Sequence, residues 1–167
     1  MIQLLQKDGS WDAFRADWEA QCREVGEDAS EYAVTSIEIL HGLAVTESRD
    51  SWAVGLFEDQ RCLAVAMANC ANIPGPPGKT LRVRHVIVCP LLDYGVLSES
   101  AYADALIELT LGIIQLSESS LRSQRIKFHL RSPGDMDYFR AFGRSLDKTG
   151  VFASCVMRGA WLYVDKT

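Results

Sequence analysis

The segment VIVCPLLDYGVLSESAYADALIEL, residues 86–109, sets an apolar run, a proline, a polar loop and an amphipathic run in immediate succession. The apolar run predicts a strand, and the proline ends it. Ser98 or Ser100 can cap the helix that follows. Tyr102, Ala105, Leu106, Leu109, Ile113 and Leu116 then form its main stripe, with Ile107, Leu111 and Ile114 as a second apolar face. Such a helix is buried on most sides. A strand, a loop and a helix start in this order suit an anion site, because helix-start N–H groups point at the ligand. The loop has one glycine, Gly95, no lysine or arginine, and two acids, Asp93 and Glu99.

Upstream, LRVRHVIVCP (81–90) is β-rich and becomes continuously apolar, as a central strand covered on both faces would. PGPPGK before it is a loop or crossover. SWAVGLFEDQRCLAVAMANCANI (51–73) reads as a hairpin turning at EDQR. SEYAVTSIEILHGLAV (30–45) fits a helix through Ala33, Ile37, Leu40 and Ala44, although its β-branched residues also suit a strand; helix is the reading adopted. Near the start, IQLLQ is a short strand. Ser10 is the expected cap of a helix carrying Trp11, Phe14, Trp18, Cys22 and Val25 inward, with Gly26 as its stop.

Downstream, RIKFHL (125–130) is a strand. Ser132 caps a helix with Pro133 at its first position, Asp135 at its positive end, and Met136, Phe139, Phe142 and Leu146 inward. VFASCVMRGAWLYVDK is a terminal hairpin turning near Arg158–Gly159. The whole predicts an α/β (α+β) chain with a mixed, mostly antiparallel central sheet, a β-α-β core and flanking helices.

A length of 167 residues predicts a single domain over 1–167, large enough to bury a core without staples. A net charge of −5 with no basic run disfavours nucleic acid as a partner. The cluster Arg82–Arg84–His85 reads as a solvated strand face rather than an anion contact. Five widely spaced cysteines, three histidines and no Cys-x-x-Cys pair give no metal site. The cysteines read as small buried hydrophobes in a reducing, cytoplasmic setting. The N-terminus is too short and polar for a secretory signal, and no apolar run is long enough to span a membrane.

The element order, VIVCP followed by a long helix, and YFRAFG…VFASCVMRGAWLYV at the end resemble the GCN5-related N-acetyltransferase (GNAT) superfamily, over nearly the whole chain. The family usually carries Arg/Gln-x-x-Gly-x-Gly/Ala after its strand and proline, where backbone N–H groups approach the pyrophosphate of acyl-CoA. The corresponding span here, LLDYGVLSES, is a degenerate form of that motif: Gly95 alone can supply close approach, and Asp93 stands where a basic or amide residue is expected. The family also places a tyrosine four residues before a glycine as the acid that protonates the leaving thiolate. Gly143 here has Phe139 at that distance, and Tyr138 is one residue away.

The resemblance implies an acyl-CoA N-acyltransferase fold using acetyl-CoA or another acyl-CoA, no metal, and a small-molecule or peptide amine acceptor. A homodimer is compatible with it. It implies two neighbouring parallel strands that part around 86–88 and 126–130, where main-chain amides hold the thioester. Val86, Val88, Tyr94, Gly95, Val96 and Ser98 are the implied coenzyme contacts, with His85, Glu38 and Tyr138 as candidate catalytic residues. His85 has a suitable intrinsic pKa for a general base. Glu38 is the other candidate base, on a segment that commonly lines the acceptor site. His129 has no such support. The leading expectation is an N-acyltransferase acting on an unidentified amine. The alternative is a catalytically inactive binding or regulatory module of the same fold, and a third reading is a small-ligand carrier that does not use CoA.

Overall fold

The computed structural model describes residues 1–74, 77–130 and 132–167, without the side chains of 145–149. The elements are β1 (Ile2–Gln3), α1 (Ser10–Val25), α2 (Val34–Thr46), β2 (Ser51–Glu58), β3 (Arg61–Asn72), β4 (Lys79–Val88), α3 (Pro90–Asp93), α4 (Glu99–Glu118), β5 (Arg125–His129), α5 (Pro133–Thr149), β6 (Phe152–Arg158) and β7 (Trp161–Lys166). The fold is α+β. Its seven-stranded mixed sheet is mostly antiparallel, with strand order β1-β2-β3-β4-β5-β7-β6. β4 and β5 run parallel, while β1–β2, β5–β7 and β6–β7 are antiparallel. The chain groups into two compact units, Met1–Met67 with Val86–Gly112, and Ala68–His85 with Ile113–Thr167.

In the first unit, Trp11, Phe14, Trp18 and Cys22 are buried along α1, as their spacing predicts, while Val25 is half-buried. Each such large apolar side chain contributes roughly 1.5–3 kcal/mol on burial. The Trp18 indole N–H donates to the Cys62 carbonyl at 2.9 Å, and the Cys62 N–H donates to Asp17 at 2.7 Å. These two bonds fix α1 against the start of β3. α1 also packs on α3, and α2 on β2. Gly26 ends α1 at φ 74°, and Glu27 N–H returns to the Cys22 carbonyl. Ser10 does not cap α1. Gly9, in a left-handed conformation, holds the cap position, and Ser10 Oγ instead accepts the Leu5 N–H at 2.8 Å. Asp8 accepts both the N–H and the hydroxyl of Ser10, which orients that side chain away from the helix amides.

In the second unit, Ile126 and Phe128 of β5 are buried, and the Phe139 ring of α5 stacks on Phe128 with centroids 5.6 Å apart. A Cβ on Gly143 would lie 3.0 Å from Leu162 Cδ1, so glycine there lets α5 sit close on β7. Ser132 caps α5 through the Asp135 N–H at 3.0 Å. Met136 and Phe142 are half-buried, and the side chain of Leu146 lies outside the described residues. The last two strands turn at Gly159, which has φ 58°.

Candidate functional site

β4 pairs with β5 through Thr80↔Arg125, Leu81↔Ile126, Arg82↔Lys127 and Val83↔Phe128, where the registered pairs end. Two residues further along β4, His85 has φ 51°, a left-handed conformation uncommon outside glycine. A single residue of this kind interrupts regular pleating, as at a bulge. His85 belongs to the second unit and is half-buried.

The candidate coenzyme contacts lie in the first unit. Val88 is buried and Val86 half-buried. Cys89 N–H donates to the Leu63 carbonyl at 2.8 Å, and Pro90 opens α3, a single turn that sequence periodicity is too short to reveal. Leu92 and Asp93 N–H donate to the Cys89 carbonyl, and Tyr94 N–H to that of Pro90. Gly95 N–H donates to Leu92, while Val96 and Leu97 N–H both donate to Leu91. Six successive amides therefore end on carbonyls of the same turn. Gly95 has φ 70°, and nothing lies within 4 Å of where a Cβ would stand. Its role is to reverse the chain, since a left-handed residue costs an L side chain roughly 1–2 kcal/mol. Ser98 Oγ accepts the Ala101 N–H at 3.2 Å, making Ser98 the cap of α4.

The side chains of the turn point to partners in the same unit. Asp93 accepts the Tyr32 hydroxyl at 3.0 Å, and the same hydroxyl lies 3.1 Å from the Val88 carbonyl. Burial, then the Asp93 carboxylate, hold the Tyr32 phenol far above the ordinary tyrosine range. The Tyr94 hydroxyl donates to Glu27 at 2.7 Å, and that hydrogen bond pushes its pKa up to about 12. Burial raises the Cys89 thiol, partly offset by the Leu92 and Leu91 N–H groups. It also raises the Cys62 thiol, with Asp17 adding to the effect. Neither thiol has the lowered pKa of a nucleophile. Leu92, Gly95, Leu97, Ser98, Glu99 and Tyr102 line a hollow of about 130 Å³. That is smaller than the roughly 300–1,000 Å³ typical of a ligand pocket.

The N–H groups of Leu92 to Leu97 are spent on carbonyls of their own turn, and the Asp93 carboxylate stands in that turn.

Of the candidate catalytic residues, Glu38 is exposed on α2 in the first unit. Tyr138 lies on α5 in the second, its ring stacked 6.1 Å from Phe142 at 11° and edge-on to Phe139 at 5.4 Å. Tyr32 and Glu27, which organise the turn, were not singled out by sequence reasoning. Tyr32 is sixty-one positions from Asp93 and belongs to no motif, so no local signal pointed to it. Among the described residues no group of three or more potential metal ligands occurs, and no helix is long and apolar enough to cross a membrane. No protein-family model matches the chain, and no curated protein matches it.

Proposed function

We propose that this chain is a GCN5-related acyltransferase-type domain that serves as a ligand-binding or regulatory module without acyl transfer. The fold part of this reading is supported by the strand order, the parallel β4–β5 pair and the β-α-β path from β4 through α4 to β5. The observation that carries the loss of transfer is the inward course of the amides of Leu92 to Leu97. An acyl-CoA enzyme of this type depends on such amides to meet a diphosphate. Reopening them would break several main-chain hydrogen bonds, each worth about 0.5–1.5 kcal/mol net.

The second reading, an active N-acyltransferase on an unidentified amine, is favoured by a different observation. The registered β4–β5 pairs stop at Val83↔Phe128, and β4 continues through the left-handed His85. That is where the resemblance expects main-chain amides for a thioester oxygen.

Acetyl-CoA and CoA titrations, followed by calorimetry and thermal unfolding, separate the two. A ligand at 100 times its Kd stabilises by about 2.7 kcal/mol, a plain rise in Tm. The module reading expects no rise with either coenzyme and no CoA release with a panel of primary amines. A rise abolished by Gly95→Asp, together with CoA release, would replace it with the enzyme.

A further inference from the structure

We propose that the second unit carries a binding site for a phosphate monoester, on the sheet face formed by β5, β7 and β6. The inference is independent of whether the chain binds CoA.

Side chains alternate across a strand, so Arg125, Lys127 and His129 share one face of β5 while Ile126 and Phe128 take the other. The antiparallel register sets Arg125 opposite Asp165, Lys127 opposite Tyr163 and His129 opposite Trp161. On β6, Val156 stands opposite Tyr163 and Arg158 opposite Trp161. The result is a run of interleaved cations and rings. Lys127 Nζ lies 4.8 Å from the Trp161 centroid and 4.4 Å from that of Tyr163. The Arg158 guanidinium lies 5.4 Å from Tyr163, and that of Arg84 lies 5.4 Å from Trp161.

A hollow of about 420 Å³ opens over this face, walled by Ile73, Pro74, Val156 and Tyr163 and lined by the charged groups. Its volume is within the usual range for small-molecule sites. Three cations and one carboxylate line it. The carboxylate, Asp165, is engaged by Arg125 at 2.6 Å and by the Ser154 hydroxyl at 2.8 Å. Lys127 and Arg158 have ring contacts and, among the described residues, no carboxylate partner. Arg84 Nε, beside Trp161, is buried without a hydrogen-bond partner.

The rings hold these cations without neutralising them. Lys127 and Arg158 share the Tyr163 ring, so their heads are no further apart than the sum of 4.4 and 5.4 Å, 9.8 Å. Two uncompensated positive charges in one hollow match a group carrying about −1.5 to −2 at neutral pH, which is a phosphate monoester. A carboxylate or a phosphodiester supplies half of that. The planar Arg158 fork and the compact Lys127 ammonium are the usual pair for such a ligand.

The test is NMR titration of the full chain at fixed ionic strength with methyl phosphate, dimethyl phosphate and acetate. Methyl phosphate should shift the resonances of Lys127, Arg158 and Tyr163 and bind at least tenfold tighter than the other two. Lys127→Gln and Arg158→Gln should each weaken it about tenfold, and Lys127→Arg should retain it. Asp165→Asn, which releases Arg125 as a third cation, should tighten it. Gly95→Asp should leave it unchanged, which separates this site from any coenzyme loop. Equal binding of monoester and diester, unaltered affinity in both glutamine variants, or tighter binding of a single-stranded oligonucleotide than of methyl phosphate would overturn the proposal.

Discussion

The Tyr32 hydroxyl stands 3.1 Å from the Val88 carbonyl and 3.0 Å from an Asp93 carboxylate oxygen, so one proton joins the end of a strand to the turn that follows it. Tyr32 is 9% exposed. Tyr32→Phe removes the donor from the buried Val88 carbonyl and from the Asp93 carboxylate, which water can reach. The expected loss is about 1–3 kcal/mol in urea unfolding. Asp93→Asn keeps an acceptor oxygen, and Val88 stays bonded, so its loss should be smaller. An equal loss in both variants would show that the bond to Val88 contributes nothing.

Gly95→Ala isolates backbone strain from contact. With φ at 70° and open space where a methyl group would go, the cost should be only about 1–2 kcal/mol. Gly95→Asn should cost less, because asparagine tolerates the left-handed region better. Chemical denaturation of the three proteins checks the order Gly, Asn, Ala.

Tyr94 should ionise late. Its hydroxyl donates to Glu27, and a phenolate there would face a carboxylate, so its pKa stands at about 12. Glu27→Ala, which removes the acceptor and its charge, should bring it back towards the ordinary value near 10, read by ultraviolet absorbance. Since the folded value is raised, the contribution to stability is complete below about pH 10 and fades as pH rises through about 12. A titration unmoved by Glu27→Ala would remove that hydrogen bond as the cause.

Phe139→Ala should cost about 3–5 kcal/mol, because the ring is fully buried and stacked on Phe128. Thermal unfolding gives the direct measure. A loss under 1 kcal/mol would mean that α5 closes the space by sliding towards Leu162.

Much of the fold was legible because its signals are local. The α1 stripe, the β2–β3 hairpin, the Ser132 and Ser98 caps and the terminal turn at Gly159 each depend on residues a few positions apart. The mixed sheet follows from their order. Ser10 shows where locality misleads. A serine beside a helix start looks like a cap, but Asp8 competes for its hydroxyl, and composition does not rank the two geometries. The site was less legible for a stronger reason. Whether the amides after Pro90 face a ligand or their own carbonyls is decided by torsion angles, which leave no mark in residue type beyond Gly95. The cationic face was half visible. Arg84 and Lys127 fell within strands read from the sequence and Arg158 at the expected hairpin turn, but only the register of β5 against β7, and of β7 against β6, brings them around two rings. A net charge of −5 concealed this, since a sum says nothing about placement.

The chain passes between its two compact units after Met67, after His85 and after Gly112. Each unit is thus stitched from separated stretches, and β3 and β4 both contain a crossing point. No single cut parts them cleanly: a break after Gly112 keeps the whole first unit but carries 68–85 of the second with it, and a break after Met67 keeps the whole second unit with 86–112 of the first.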